Sequence, residues 1–217
     1  KAGNYQIITL TITHVDDRYT LNGEPLAEEC ARLLAEIVTM PAIENGRFDP
    51  EAVATEKNSL ADTIAAEVND KRSYALLRLK REMCAGEPFG VDRLGDESSA
   101  RAITPESLWA RYQDLLRTAP MELYYCGSAK PERVADALRA ALSQLPTDGV
   151  RAPLPRPAAK EAPAQPREVV ESLDVTQGKL TMGLRTGSTV WSEDYPALLL
   201  ANAIFGGTTT SRLFLHV

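Results

Sequence analysis

The chain is poor in the residues that build metal and disulfide frameworks. It has three cysteines, Cys30, Cys84 and Cys126, widely spaced and without a C-x-x-C pair. A disulfide scaffold or thiolate zinc site is therefore not expected, each thiol reads as a buried small apolar residue, and a reducing cytoplasm suits them. The two histidines, His14 and His216, lie near opposite ends of the 217 residues, so no imidazole-rich centre can form from this chain alone. No apolar run reaches 18 residues, which excludes a spanning helix. Positive charge is also short: 24 Lys+Arg against 30 Asp+Glu give a net charge of −6, against a nucleic-acid or anionic-membrane partner. What remains, 44% hydrophobic and 25% charged, is an ordinary globular composition. The opening Lys1-Ala2-Gly3-Asn4-Tyr5-Gln6 lacks a signal peptide and reads as a cut inside a longer gene.

Residues 5–15 alternate apolar and Thr/polar side chains, the period of a strand, with His14 as a hydrogen-bonded residue at its end. From Leu21 the spacing of Leu26, Cys30, Leu33, Leu34, Ile37 and Val38 becomes helical, ended by Pro41, and Asn45-Gly46 marks a turn. Asp49-Pro50 opens a second helix, expected to run from about Pro50 to Cys84 with a bend near Asn69-Asp70. Thr104-Pro105-Glu106 begins a third, residues 121–126 a short strand, and Pro131 a fourth helix to about Leu145. Gly127-Ser128-Ala129-Lys130 has neither dinucleotide nor P-loop spacing and reads as a plain connection. Between Pro146 and Pro166 lie six of the 14 prolines, the composition of a linker. Residues 168–174 and 179–186 follow as strand candidates, then a helix from Trp191 to Phe205 and another from Ser211.

Three stretches resemble the insulinase/pitrilysin-type metallopeptidases, whose zinc motif is the inverted H-x-x-E-H. Phe48 to Ile64 is similar to the family's helix F…E-[RK]-x-x-[IVL]-x-x-E-[IV]. Ile103 to Leu108 with Tyr112, followed by 121–127, resembles I-T-x-E-x-L…Y…M-x-L…x-x-G. Ile204 to Phe214 matches [IL]-[FL]-G-G-x-x-x-S-[RK]-L-F, the most specific of the three. The pieces occur in the family's order on either side of the linker. Lys1 to Tyr5 and Asn69 to Tyr74 resemble the partner lacking zinc ligands in paired bacterial cytosolic members, commonly linked by name to elongation factor P modification.

The resemblance implies an α+β fold of two metallopeptidase-like (mitochondrial-processing-peptidase-like) halves, each a mainly antiparallel sheet packed against helices. Residues 1–145 would be most of the first half, 146–167 a Pro/Ala-rich linker, and 168–217 the truncated start of the second, so the chain reads as a fragment. It also implies where zinc chemistry would sit. The family's distal ligand lies seven residues beyond the Glu of E-[RK], about two helical turns, which puts both on one face. Here that Glu is Glu56, and the ligand position holds Thr63, whose neutral hydroxyl is a poor zinc ligand. Asp62 is rotated about 100° away, and Glu67 lies about 6 Å further along the axis. An H-x-x-E-H would fall upstream of Lys1, so no complete metal site is expected in this chain. Gly206, Gly207, Ser211 and Arg212 are the family-motif residues with a candidate peptide or interface role, weighed against a tight turn and a helix cap.

The leading expectation is a non-catalytic peptidase-like subunit, without catalytic or metal residues or a cofactor of its own. It would pair with a homologous zinc-bearing subunit around a peptide, in the cytoplasm. The alternatives are an active zinc endopeptidase whose H-x-x-E-H precedes Lys1, where zinc would be the cofactor, and a pure assembly scaffold. Self-association through the apolar Leu198, Leu199 and Ile204 face is a further expectation.

Overall fold

The computed structural model describes residues 3–146, 148–151, 153–154 and 160–216. The chain divides into two compact units, Lys1–Ala158 and Ala159–Val217. The fold is α+β, with helices and, among the described residues, one small antiparallel sheet.

In the first unit, helix α1 (Leu26–Thr39) begins at Pro25, which offers no side-chain cap. The Asp17 carboxylate supplies one from ten residues upstream, accepting the Ala27 N–H at 3.1 Å. Strands β1 (Ile43–Glu44) and β2 (Arg47–Phe48) pair antiparallel around Asn45-Gly46. Both turn residues have positive φ, 52° and 74°, as a two-residue hairpin of the primed type requires. Asp49 then caps α2 (Pro50–Ala66), accepting from the N–H groups of Glu51 and Ala52. The expected long helix is broken: a 3-10 turn at Glu67–Asn69 separates α2 from α3 (Lys71–Met83). The break lies at the expected bend, because Asp70 accepts from Arg72 and Ser73 N–H and so starts a new helix. A short α4 (Glu97–Ala102) leads to α5 (Pro105–Thr118), which opens on a Thr104–Ser107 capping box. Helix α6 (Pro131–Ala141) ends in a 3-10 turn.

Two of the packed groups in this unit involve α1 and α5. Helices α1 and α6 meet through Ala27, Ala31, Val134 and Ala137, all buried, with Tyr125, Ala129 and Leu138 around them. The small side chains let the backbones approach closely, and Arg133 reaches across to Glu28 at 2.5 Å. The second group joins β2 to α5. Phe48 stands edge-on to Trp109 and Tyr112, whose own rings stack at 6.0 Å. The Tyr112 hydroxyl donates to the Val38 carbonyl at 2.6 Å, tying the cluster to α1.

Four expected strands, 5–15, 121–126, 168–174 and 179–186, form no extended ladder among the described residues; 5–15 has a single bridge, at Tyr5. Their apolar side chains stay exposed, as at Ile8, Leu10, Leu123, Leu180 and Leu184. Strand periodicity shows which faces can pair, but a ladder needs a backbone partner alongside. His14 is hydrogen-bonded as expected, through Nδ1 and the Val15 carbonyl oxygen at 2.7 Å, though not in a strand. The expectation that every thiol is buried is also corrected. Cys84 is buried, Cys30 is half-buried, and Cys126, at the end of the unpaired 121–126 segment, is exposed.

In the second unit, α7 (Tyr195–Asn202) is shorter than expected. It begins with Pro196 in its first turn and passes into a π turn over Ala203–Gly207 before α8 (Arg212–His216). Leu199, Leu200 and Ile204 are exposed. No helix among the described residues is long and apolar enough to cross a membrane.

Candidate functional site

Helix α2 carries the positions on which zinc chemistry would depend. Val53 and Ala61 form its buried face, and α2 packs on α4, whose Ala100 is buried. Glu56, Asp62 and Thr63 are all exposed. The Thr63 hydroxyl donates to the Ser59 carbonyl one turn back at 2.7 Å, the usual local bond of a helical threonine. Glu67, the nearest carboxylate of similar orientation, falls outside α2 in the 3-10 turn, where its Oε2 accepts from Arg81 at 3.2 Å. Arg81 also binds Asp92 Oδ2 through Nε and Nη2, at 3.1 and 2.8 Å. No group of three or more His, Cys, Asp or Glu among the described residues is placed to hold a metal ion.

The residue after Glu56 has a definite structural task. The Lys57 ammonium donates to the carbonyls of Arg101 and Ile103, each at 2.9 Å. These carbonyls lie at the C-terminal end of α4, where unpaired oxygens and the helix dipole favour a cation. Lys57→Met keeps the apolar stem and removes the donor. It should lower stability by about 1–2 kcal/mol, read as a reduced urea midpoint with unchanged slope. A midpoint equal to wild type would show the two bonds to be idle.

Around Asp92 the electrostatics are explicit. Partial burial alone would raise this carboxyl, but the Leu94 N–H and the Arg81 guanidinium outweigh it and hold it below its ordinary value. On the hairpin side, Arg47 pairs with Glu106 at 2.7 Å and lowers that carboxyl in turn. Both pairs fasten a loop or hairpin to a helix.

The Gly206–Arg212 motif is a helix start rather than an open cradle. Ser211 is 1% exposed, and its Oγ accepts the Phe214 N–H at 3.3 Å, so Ser211 caps α8. Gly207 is closely approached: a Cβ there would lie 3.1 Å from the Asn202 carbonyl oxygen, a tight contact with backbone. Gly206 faces the movable end of the Leu213 side chain, and Arg212 is exposed. The structure brings Gly206, Gly207 and Ser211 together in one turn. Glu56 and Thr63 lie on α2 of the other unit. Lys57, Arg81 and the Tyr112 hydroxyl were not singled out from the sequence. Only Lys57 had a local signal, as the basic residue of the E-[RK] pair.

Comparison with known proteins agrees with these features. Residues 102–217 match the family model described as the peptidase M16 inactive domain. Over its whole length the chain is 34% identical to the probable inactive metalloprotease YmfF of Bacillus subtilis (strain 168), covering 50% of that protein. A crystal structure of a conserved protein from Enterococcus faecalis V583 superposes with a TM-score of 0.62 over 93% of this chain and 47% of that one. At 24% identity this last likeness speaks to the fold alone. The chain thus spans about half the length of these relatives, and its ordered motifs, α+β architecture and matching family model carry one conclusion: it belongs to the insulinase-type M16 peptidase family.

Proposed function

We propose that this chain is part of a non-catalytic peptidase-like subunit that pairs with a zinc-bearing homologue to enclose and process peptides. The observation that carries the reading is Thr63. It occupies the family's distal ligand position, is exposed, and spends its hydroxyl proton on its own helix. A neutral hydroxyl in that setting does not fit a zinc site built from imidazole and carboxylate donors. Glu67, the nearest substitute, is already paired with Arg81. The name of the Bacillus subtilis relative, probable inactive metalloprotease, supports the same reading. On this view 1–145 is most of the first family half, 168–217 is the start of the second, and 146–167 is the linker between them. A cytoplasmic setting suits three free thiols, one of them exposed.

The test uses the full-length protein, alone and mixed with the zinc-bearing homologue from the same cell. Alone, it is expected to hold well under 0.1 zinc per chain by elemental analysis and to leave unstructured peptides uncut. With the homologue present, peptide turnover should depend on both chains. One tightly bound zinc per chain, with turnover by this protein alone, would overturn the proposal and make it an active endopeptidase. Zinc-free protein that neither binds the homologue nor alters peptide turnover would also overturn it, in favour of a scaffold.

A further inference from the structure

The proline-rich stretch does not leave the first unit where its composition changes. Asp148, Gly149 and Arg151 all engage the C-terminal turn of α5. The Arg151 guanidinium donates through Nη1 to the Ala119 carbonyl and through Nη2 to the Leu116 carbonyl, both at 2.5 Å. Arg117 of the same turn meets Asp148 at 3.5 Å. Between these two contacts Gly149 lies directly on the backbone: a Cβ there would sit 2.3 Å from the Arg117 carbonyl oxygen. No side chain fits without moving main chain.

The chemistry of each contact matches the end of a helix. The last carbonyls of α5 lack intrahelical N–H partners and carry the negative end of the helix dipole. A forked guanidinium can satisfy two of them at once, which a lysine cannot do in the same geometry. Val150, by contrast, is 81% exposed. The segment is therefore held by polar contacts and close backbone fit rather than by apolar burial.

We infer that residues 148–151 form a strap, locked by Arg151 on the C-terminus of α5, so that the linker expected to begin at Pro146 is fastened to the first unit as far as Arg151. Six residues are then removed from its reach, about 19 Å at polyproline rise. The strap lies wholly within the first unit and stands whether or not the protein pairs with a zinc-bearing homologue.

The Arg151–Ala152 bond offers a direct readout, because trypsin must take the Arg151 side chain and adjoining backbone into its own site. In the full-length protein this bond should be cut slowly, since cleavage requires the strap to open first. Gly149→Ala should raise the cutting rate at Arg151 about tenfold while the thermal midpoint of the unit stays within about 2 °C. Arg151→Gln, at a solvent-reached position that cannot unfold the core, should speed amide hydrogen exchange at residues 148–151 by a similar factor. Equal tryptic rates at Arg151 in wild type and Gly149→Ala, or equal exchange in wild type and Arg151→Gln, would overturn the strap. The clamp joins a guanidinium to neutral carbonyls, so its protection should also be constant from about pH 5 to pH 9. Protection that titrated within that range would contradict it.

Discussion

Tyr112→Ala is expected to destabilise the first unit by about 3 kcal/mol, lowering its thermal midpoint by about 6–12 °C. Full truncation of a buried aromatic costs about 3–5 kcal/mol, and the half-buried setting of Tyr112 places it at the lower end. The ring is shared between Phe48 at 5.9 Å and Trp109 at 6.0 Å, so its loss exposes both. The hydroxyl also leaves the Val38 carbonyl without the donor it has at 2.6 Å. Tyr112→Phe separates the two effects, since it keeps the ring and should cost only about 1 kcal/mol. Thermal unfolding followed by near-ultraviolet circular dichroism reads both variants. A Tyr112→Ala midpoint within about 2 °C of wild type would show that the aromatic cluster does not hold the hairpin to α5 and α1. Burial also raises the Tyr112 hydroxyl above its ordinary value. Its contribution is therefore complete below about pH 10 and is lost as pH rises through the folded value.

The second large effect is expected at Arg81. Arg81→Met should cost about 2 kcal/mol, because it strands two carboxylates that one guanidinium now serves. The expected cost lies between the typical values for exposed and fully buried pairs, as Asp92 is 8%, Glu67 18% and Arg81 29% exposed. Three segments lose their common fastening: the 3-10 turn after α2, the helix α3, and the loop through Asp92. The pH dependence has a definite sign. Asp92 is held below its ordinary value, so its stabilising effect is complete above the unfolded carboxylate value near pH 4 and is lost as pH falls through the folded one. The gap in thermal midpoint between wild type and Arg81→Met should therefore be constant from about pH 5 to pH 8 and close in acid. A double-mutant cycle with Asp92→Asn should give a coupling of about 1 kcal/mol or more. Additive effects would show that Arg81 acts through its stem packing instead of its charge.

The two variants probe contacts that differ in how far local sequence revealed them. Helix starts were readable residue by residue: Asp49 before Pro50, Thr104 before Pro105, and Ser211 before Arg212 all cap as their chemistry suggests. Such caps depend on atoms within three positions of each other, so sequence order already places them. Arg81 is different. Its partners Glu67 and Asp92 lie 14 and 11 positions away, and nothing in either segment's composition announces the meeting. Arg151 on Leu116 and Ala119, 35 and 32 positions distant, is the same case.

Strands show the opposite error. Their two-residue period is clear in 5–15 and 179–186, yet neither segment forms a strand of two or more residues among the described residues. Periodicity records an intrinsic preference of one segment, whereas a sheet is a property of two. Cys126, expected to be buried as a small apolar residue, is exposed at the end of the 121–126 segment.

By itself, the sequence determined the helix starts at Asp49, Thr104 and Ser211, the turn at Asn45-Gly46 and the family resemblance, and placed Thr63 seven residues beyond Glu56. All of these follow from local stereochemistry or from residue identity in order. Only the tertiary structure decided that Glu67 is engaged by Arg81, that Lys57 closes the end of α4, and that the proline-rich stretch is strapped down as far as Arg151. Those outcomes depend on which carbonyls and carboxylates lack partners once the helices have packed. Unsatisfied groups of that kind exist only in the folded chain.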